Sequence, residues 1–441
     1  MKGRKTELSK ELALFDAVSI IVGIIVGTGI FIVPGLVAGY LPSSGMIMLV
    51  WIAGGVLTLF GVFSFMELSS SFPETGGIYI YLKESMGSLG GFLFGWASLL
   101  ILRSGSIAAM SVAFAMYTRY FFPLSRFGIS IVASIVILIL SCVNYIGVKS
   151  GSRVQNFFTS AKVIALGLLV FTGFFLKKGD IHNFEPFLPS EFGWNMISFF
   201  GMAMISVLWT FDGWADLSYI SGEVKNPEKN LPLALIIGTI IVTVIFLLVN
   251  LLYIYLIPVM NIKNSELIAS DAAVKIMGGG GGTVITILIL ITIFGAINGS
   301  IMTGPRIFYA QAKDGLFFKW IGKIHPKYGT PSSAIIIQAV LMIIMVFSGT
   351  FEELMNCYIF MMVIFYILCI IGLFILRKKK PELKRPQKTI GYPFTSAIFL
   401  IIMIIMLVNT TYKKPVESII SFLVLIAGIP VYYFFKKEEG K

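Results

Sequence analysis

The chain has 441 residues, 57% apolar and 13% charged, with a formal net charge of +12. With a mean hydropathy of +0.91, this excludes a soluble globular protein and points to many membrane spans. Two separated histidines, and three cysteines (Cys142, Cys357, Cys369) within apolar runs, show no HExxH, CxxC or P-loop pattern. We therefore expect no metal, no cofactor and no disulfide, with the cysteines acting as small apolar side chains.

The chain opens on eleven polar residues, MKGRKTELSKE, before a run too long for a signal-peptide core, so the first run is expected to be a true span. A spanning helix needs ~20 apolar residues. Twelve such runs are expected, near 14–39, 46–67, 89–117, 127–147, 154–176, 195–221, 232–257, 283–305, 332–348, 353–376, 391–411 and 416–435. Of the 34 Lys and Arg residues, 24 fall on the face that holds both termini and 8 on the other; Arg103 and Lys162 lie within spans. The positive-inside bias then places both termini in the cytoplasm, in the cell membrane. The run RKKKPELKRPQK (377–388) follows from the same rule. It is read as a lipid-attracted loop, and nucleic-acid binding is not expected. GGGGG (278–282) reads as a flexible extracellular joint, and Glu67, at the end of the second span, as an interfacial charge.

The first span contains IIVGTGIFIVPG (24–35). Gly27-Thr28-Gly29 can serve helix packing, since Gly23 and Gly27 form a GxxxG pair, as do Gly35 and Gly39. It can also mark a break. The sixth span reads GMAMISVLWTFDGWADLSYISGEVKNPEKNLPLA (201–234), with Asp212 and Gly213 at its middle. A mid-membrane carboxylate is a functional candidate by default, or else a buried group satisfied by backbone amides. Asp212 and Asp216 would share one face of an unbroken helix. Breaks in spans one and six would open each of two five-helix halves, the pattern that marks a transporter site. A broken helix offers N–H groups to a carboxylate and C=O groups to an ammonium, the two charges of an amino acid.

GTGIFIVPG (27–35) with GEVKNPEKNLP (222–232) resembles the amino acid–polyamine–organocation superfamily. LLILRS (99–104) and AKVIALGLLV (161–170) resemble its L-type amino acid transporter branch. FMMVIFYILCIIGLFILRK (360–378) is similar to the bacterial serine/threonine exchangers of that branch. The resemblance implies an all-α membrane protein of twelve transmembrane helices, a LeuT-like 5+5 inverted repeat with helices 1 and 6 broken. Residues 12–176 would form the first repeat, 194–376 the second, and 377–441 the peripheral helices 11 and 12.

It further implies a carboxylate site at Gly27, Thr28 and Gly29. Carbonyls around Ile25, Trp209 and Asp212 would receive the α-ammonium. Trp209 would be an aromatic gate, or alternatively core packing. Lys162 would stand where sodium-coupled relatives hold sodium, with Ser300 and Thr303 as candidate partners; the alternative is a lysine snorkelling to the interface. Arg103 matches a family position with no derivable role. Ala215 replaces a polar amide of human members, so their selectivity does not transfer. The implied activity is transport of small or medium neutral L-amino acids, not an enzyme reaction, by sodium-independent exchange. Proton-coupled symport through Lys162 or Asp212 is the alternative, with a membrane enzyme or channel more remote. TRYFFPLSR (118–126) has no cysteine, so no disulfide-linked heavy chain is expected.

Overall fold

The computed structural model describes residues 8–189, 193–265, 268–348 and 351–439. Among them every regular element is helical, apart from one isolated parallel bridge between Leu12 and Val224. Helices α1 (Leu14–Ile25) and α2 (Gly29–Tyr40) are two parts of one run, bent by 45°. α3 (Ser44–Ser71) and the short α4 (Ile78–Met86) follow. α5 (Ser88–Ala97) passes through a π turn, Ser98–Leu102, into α6 (Arg103–Thr118). Next come α7 (Arg126–Ile146), α8 (Val148–Phe175) and α9 (Trp194–Thr210), the last leading into a 3-10 segment, Trp214–Glu223. α10 (Pro227–Leu256), the short α11 (Val259–Ile262) and α12 (Ile268–Met277) precede α13 (Gly281–Thr303) and α14 (Pro305–Lys313). The chain ends with α15 (Ser332–Ser348), α16 (Phe351–Lys379), α17 (Phe394–Lys413) and α18 (Pro415–Glu439).

Among the described residues ten helical runs are long and apolar enough to cross a bilayer, and the bent α1–α2 pair raises the number to eleven. The run expected at 332–348 is α15, an apolar helix of 17 residues. The protein is thus a multi-pass all-helical membrane protein.

Local chemistry explains several boundaries. Asp16 accepts the Ala13 amide at 2.8 Å and so ties down the start of α1. Ser125 caps α7 by accepting the Gly128 amide. Asn226 takes the left-handed conformation (φ +46) that asparagine tolerates, and Pro227 opens α10, where its missing N–H costs nothing. Small residues let helices approach closely. A Cβ on Gly23 would collide with Gln155 and Thr159 of α8, and one on Gly54 with Val207 of α9.

α1 lies at the centre, packed against α8, α10 and α13, while α17 and α18 flank α3, α5 and α16. A buried amide chain ties the centre together: Asn144 of α7 donates to Asn298 of α13 at 3.0 Å, and Asn298 donates to Gln155 of α8 at 2.9 Å.

One sequence expectation is corrected here, that for Glu67. In the glycine run Gly278–Gly280 forms an exposed 3-10 turn and Gly281 begins α13, pressed so closely on the Ala273 backbone that a Cβ would not fit. Glu67 is not an interfacial charge. It is 1% exposed and accepts bonds from Arg377 (2.5 and 2.9 Å) and from both the amide and hydroxyl of Thr389 (2.8 Å each), with Arg385 at 3.2 Å. The polar 377–389 segment folds back over the end of α3, a contact that no local sequence pattern encodes.

Candidate functional site

The first break is short. α1 ends at Ile25, the Gly27 amide turns back to the Ile25 carbonyl at 2.8 Å, and α2 starts at Gly29. The opening amides of α2 have no acceptor within their own helix, and the Thr28 hydroxyl makes no capping bond. The glycines have different tasks. A Cβ on Gly27 would meet nothing closer than 3.7 Å, whereas one on Gly29 would lie 2.6 Å from Cγ2 of Thr210 on α9. Gly29 is therefore the packing glycine, and Gly27 has room for a Cβ at ordinary contact distance. In the Gly23/Gly27 pair only Gly23 serves close packing.

The second break follows α9. Gly213 has φ +109, a conformation that favours glycine, and the chain continues as 3-10 rather than α-helix. A Cβ on Gly213 would stand 2.6 Å from Cγ2 of Ile24, so the two breaks touch. The break also parts the two carboxylates expected on one face. Asp212 accepts the hydroxyls of Tyr366 at 2.6 Å and of Tyr358, both on α16. Asp216, 1% exposed, pairs with Arg103 of α6. The Arg103 guanidinium also stands 5.2 Å from the ring centre of Tyr219 and 6.0 Å from that of Tyr358.

Between the breaks is a cavity of about 70 Å³. Ile25, Gly27, Thr28, Gly29, Trp209 and Asp212, the six residues singled out from the sequence, all line it. Its remaining wall includes Arg103, Ser106, Met110, Thr210, Ser300, Met355 and Tyr358. The Nε and Nη2 donors of Arg103 and the Oδ1 acceptor of Asp216 are buried and have no protein partner among the described residues. A polar molecule entering the cavity would meet both kinds of group. A second cavity, about 40 Å³, lies behind Trp209, Asp212 and Tyr358, with Met362, Met403 and Met406 in its wall.

Lys162 is not a lining residue. Fully buried on α8, it donates to the carbonyls of Gly23 (2.8 Å), Val26 (2.8 Å) and Thr292 (2.9 Å). Its three donors are thus used, and it does not snorkel to the interface. Two acceptors belong to the last turn of α1 and its cap, where a helix end carries partial negative charge. The third belongs to α13. The partners expected at Ser300 and Thr303 are not the observed ones. Ser300 lines the cavity, and Thr303 bonds carbonyls of its own helix, Gly299 and Ser300. Thr292 lies about two turns nearer the start of α13, level with the break. Gly295 leaves the room, since a Cβ there would press on Lys162 at 3.3 Å.

Sequence reasoning missed the two tyrosines and the partner of Arg103. Arg103 and Asp216 could have been paired as opposite charges within spans, since such charges seek one another. It also missed the buried pair of Arg306 on α14 with Glu223, at 2.7 and 3.2 Å and both 0% exposed, which closes the end of the 3-10 segment. Tyr358 and Tyr366 lie in an apolar run that gives no sign of which way they face.

Comparison of the sequence with known proteins assigns the chain to a family. The sequence model described as amino acid permease matches residues 12–435. The chain is 34% identical to the serine/threonine exchanger SteT of Bacillus subtilis (strain 168), covering 98% of both proteins. It is 31% identical to the human b(0,+)-type amino acid transporter 1 (98% of this chain, 89% of the relative) and 32% to the human cystine/glutamate transporter (98% and 86%). The chain therefore belongs to the amino acid permease family of the amino acid–polyamine–organocation superfamily, and is an amino acid transporter rather than an enzyme.

Proposed function

We propose that this protein exchanges small or medium neutral L-amino acids across the cell membrane by alternating access, without sodium. The observation that carries the reading is the small cavity lined by residues of both helix breaks. Amides at the start of α2 suit a carboxylate, and carbonyls near Ile25 and in the turn after Trp209 suit an ammonium. At about 70 Å³ the cavity is a fraction of the ~300–1,000 Å³ of sites for drug-sized ligands, which favours a compact substrate. Trp209, in the wall of both cavities, acts as the gate. A relative named as a serine/threonine exchanger supports the choice of small hydroxylated substrates.

The fold reading goes with this. Twelve spans, with α15 as the ninth, form a LeuT-like pair of inverted repeats over 12–176 and 194–376, and α17 and α18 are peripheral. Both termini are cytoplasmic. The absence of cysteine in 118–126 supports function without a disulfide-linked heavy chain.

Lys162 is a fixed cation at the junction of α1, α8 and α13, in place of a bound sodium ion. A buried ammonium held only by carbonyls is also a place where a proton could leave, and this favours proton-coupled symport as the second reading. Purified protein in liposomes separates the two. Exchange requires that labelled serine enter much faster when unlabelled amino acid is inside, unchanged by replacing sodium with choline. Equal uptake into empty vesicles contradicts exchange. Accumulation driven by an imposed pH gradient establishes symport.

A further inference from the structure

Arginine–carboxylate pairs in this protein differ in how they use the guanidinium fork. Arg306 places Nε and Nη2 on the two oxygens of Glu223, at 2.7 and 3.2 Å, and Nη1 on the Met302 carbonyl. Arg377 takes both oxygens of Glu67 in the same two-pronged way, at 2.9 and 2.5 Å. Such pairs join helices, and closing the fork gives them strength and a fixed geometry. Arg103 and Asp216 are different. One bond joins them, from Nη1 to Oδ2. The Nε and Nη2 donors and the Oδ1 acceptor are buried and have no protein partner among the described residues. This open pair is the one in the wall of the cavity between the two helix breaks.

The guanidinium is held in place. Besides its bond to Asp216, the rings of Tyr219 and Tyr358 stand 5.2 and 6.0 Å from its carbon. With the charged ends of an amino acid at the two breaks, its side chain meets the rest of the wall. There Met110 and Met355 are apolar, and Arg103 and Asp216 carry the open groups. Free donors beside a free acceptor call for a group that both accepts and donates. A carboxylate only accepts, and would bring a second negative charge to Asp216. An ammonium only donates, and would leave the guanidinium donors unused. An aliphatic side chain would leave every open atom unpaired in a water-poor site, which is the costly case. A hydroxyl accepts from Arg103 and donates to Asp216. A carboxamide also does both but is bulkier, in a cavity of about 70 Å³.

We propose that Arg103 and Asp216 are the side-chain site of this transporter and select a hydroxyl on the β-carbon of the substrate. Serine and threonine are then bound in preference to 2-aminobutyrate and valine, which have the same shape and a methyl in place of the hydroxyl. This rests on the reading of the cavity as an amino acid site, and adds which part of its wall reads the side chain. A site built around a hydroxyl rejects the isostere that lacks it far more strongly than an apolar pocket rejects an added hydroxyl.

The test is equilibrium binding to the purified full-length protein, which is read without transport. Serine, threonine, 2-aminobutyrate, valine and asparagine are the probes. Serine and threonine should bind about 100-fold tighter than their isosteres, the order of a hydrogen bond to a charged group. Arg103→Lys keeps the charge beside Asp216 but has no fork, and should lose most of that preference. Arg103→Met with Asp216→Leu replaces the pair by apolar side chains, an exchange that buried ion pairs often tolerate. There serine should fall to the level of 2-aminobutyrate, while 2-aminobutyrate stays within a few-fold of its value in the unmodified protein. The comparison of isosteres in the unmodified protein decides the matter even if a variant does not fold. Equal affinity for serine and 2-aminobutyrate means that the open groups hold water, and overturns the site. A hydroxyl preference that survives in both variants overturns it as well. Asparagine bound more tightly than serine overturns the choice of a hydroxyl, and binding of none of the five overturns the site together with the cavity reading. Loss of exchange in liposomes with the binding preference intact counts against the exchanger reading alone.

Discussion

The two helix breaks meet at one cavity, yet they are secured by opposite means. The break between α1 and α2 leaves carbonyls unpaired, and a cation supplied from α8 collects Gly23 and Val26 and ties them to Thr292 of α13. The break after α9 puts carboxylates into the membrane, and donors from α16 and α6 collect them: Tyr358 and Tyr366 on Asp212, Arg103 on Asp216. One break is held through its backbone by a positive charge, the other through its side chains, which bring negative charge. Unpaired backbone in lipid costs several kcal/mol per group, and so does an unpaired buried charge, so neither break persists without its partners. The lesson is that a weak point in a membrane helix can be localised from its own residues, while what stabilises it comes from helices distant in the chain.

The largest effect is expected from removing the first break's cation. Lys162→Ala leaves the Gly23 and Val26 carbonyls at the end of α1 without a donor and cuts their tie to Thr292 of α13, each hydrogen bond to a charged group being worth ~1.5–3 kcal/mol. Exchange should fall by about 100-fold or more, while serine affinity changes only a few-fold, because the cavity lining is untouched. Affinity by equilibrium binding and turnover by exchange are measured separately; wild-type turnover would contradict the role. Exchange by the unmodified protein that is flat from mildly acid to mildly alkaline pH is the result expected of a fixed cation at Lys162; a rate that changes across that range favours the proton-coupled reading.

Next comes the contrast between the two glycines of the first break. Gly29→Ala places a Cβ 2.6 Å from Thr210, and overpacking of this kind costs ~1–3 kcal/mol. Gly29→Val should be worse, chiefly through α2–α9 packing rather than by filling the carboxylate's place. Gly27→Ala meets only ordinary contacts and should leave the fold intact while crowding the cavity. Thermal unfolding in detergent should show a clear loss for Gly29→Ala and little for Gly27→Ala, and Thr210→Ala should partly restore the former. The reverse order would show that the glycines' tasks are exchanged.

At the second break, Tyr358→Phe and Tyr366→Phe each remove one donor to Asp212. Each should cost ~1.5–3 kcal/mol, and the double variant should be non-additive because both act on one carboxylate. Additive losses would indicate two independent sites. The smallest effect on binding is expected for Trp209→Ala, which should slow exchange several-fold with little change in affinity. A change in affinity alone would make Trp209 a wall and not a gate.

Much of this was legible because the signals are local. Gly27-Thr28-Gly29 and Asp212-Gly213 announce the breaks by being the wrong residues for a membrane helix. Asn226-Pro227 marks a helix start by its backbone preferences. The bonds that Asp212 accepts from its tyrosines and Glu67 from Arg377 were not legible, since each joins positions more than 100 residues apart. In an all-apolar run such as α16, periodicity does not reveal which face carries the donors. The sequence also placed Lys162 within a span but did not reveal its acceptor on α13, because the acceptor is a backbone carbonyl, which every residue possesses.

The central claim is that the substrate's charged ends lie between the two breaks. A structure determined with bound serine tests it most directly. The account predicts the carboxylate about 2.7–3.2 Å from the first amides of α2, with the ammonium facing the carbonyls of Ile25 and of the turn after Trp209. Serine found in the cavity behind Trp209, or with its carboxylate on Arg103 and no contact to α2, would contradict it.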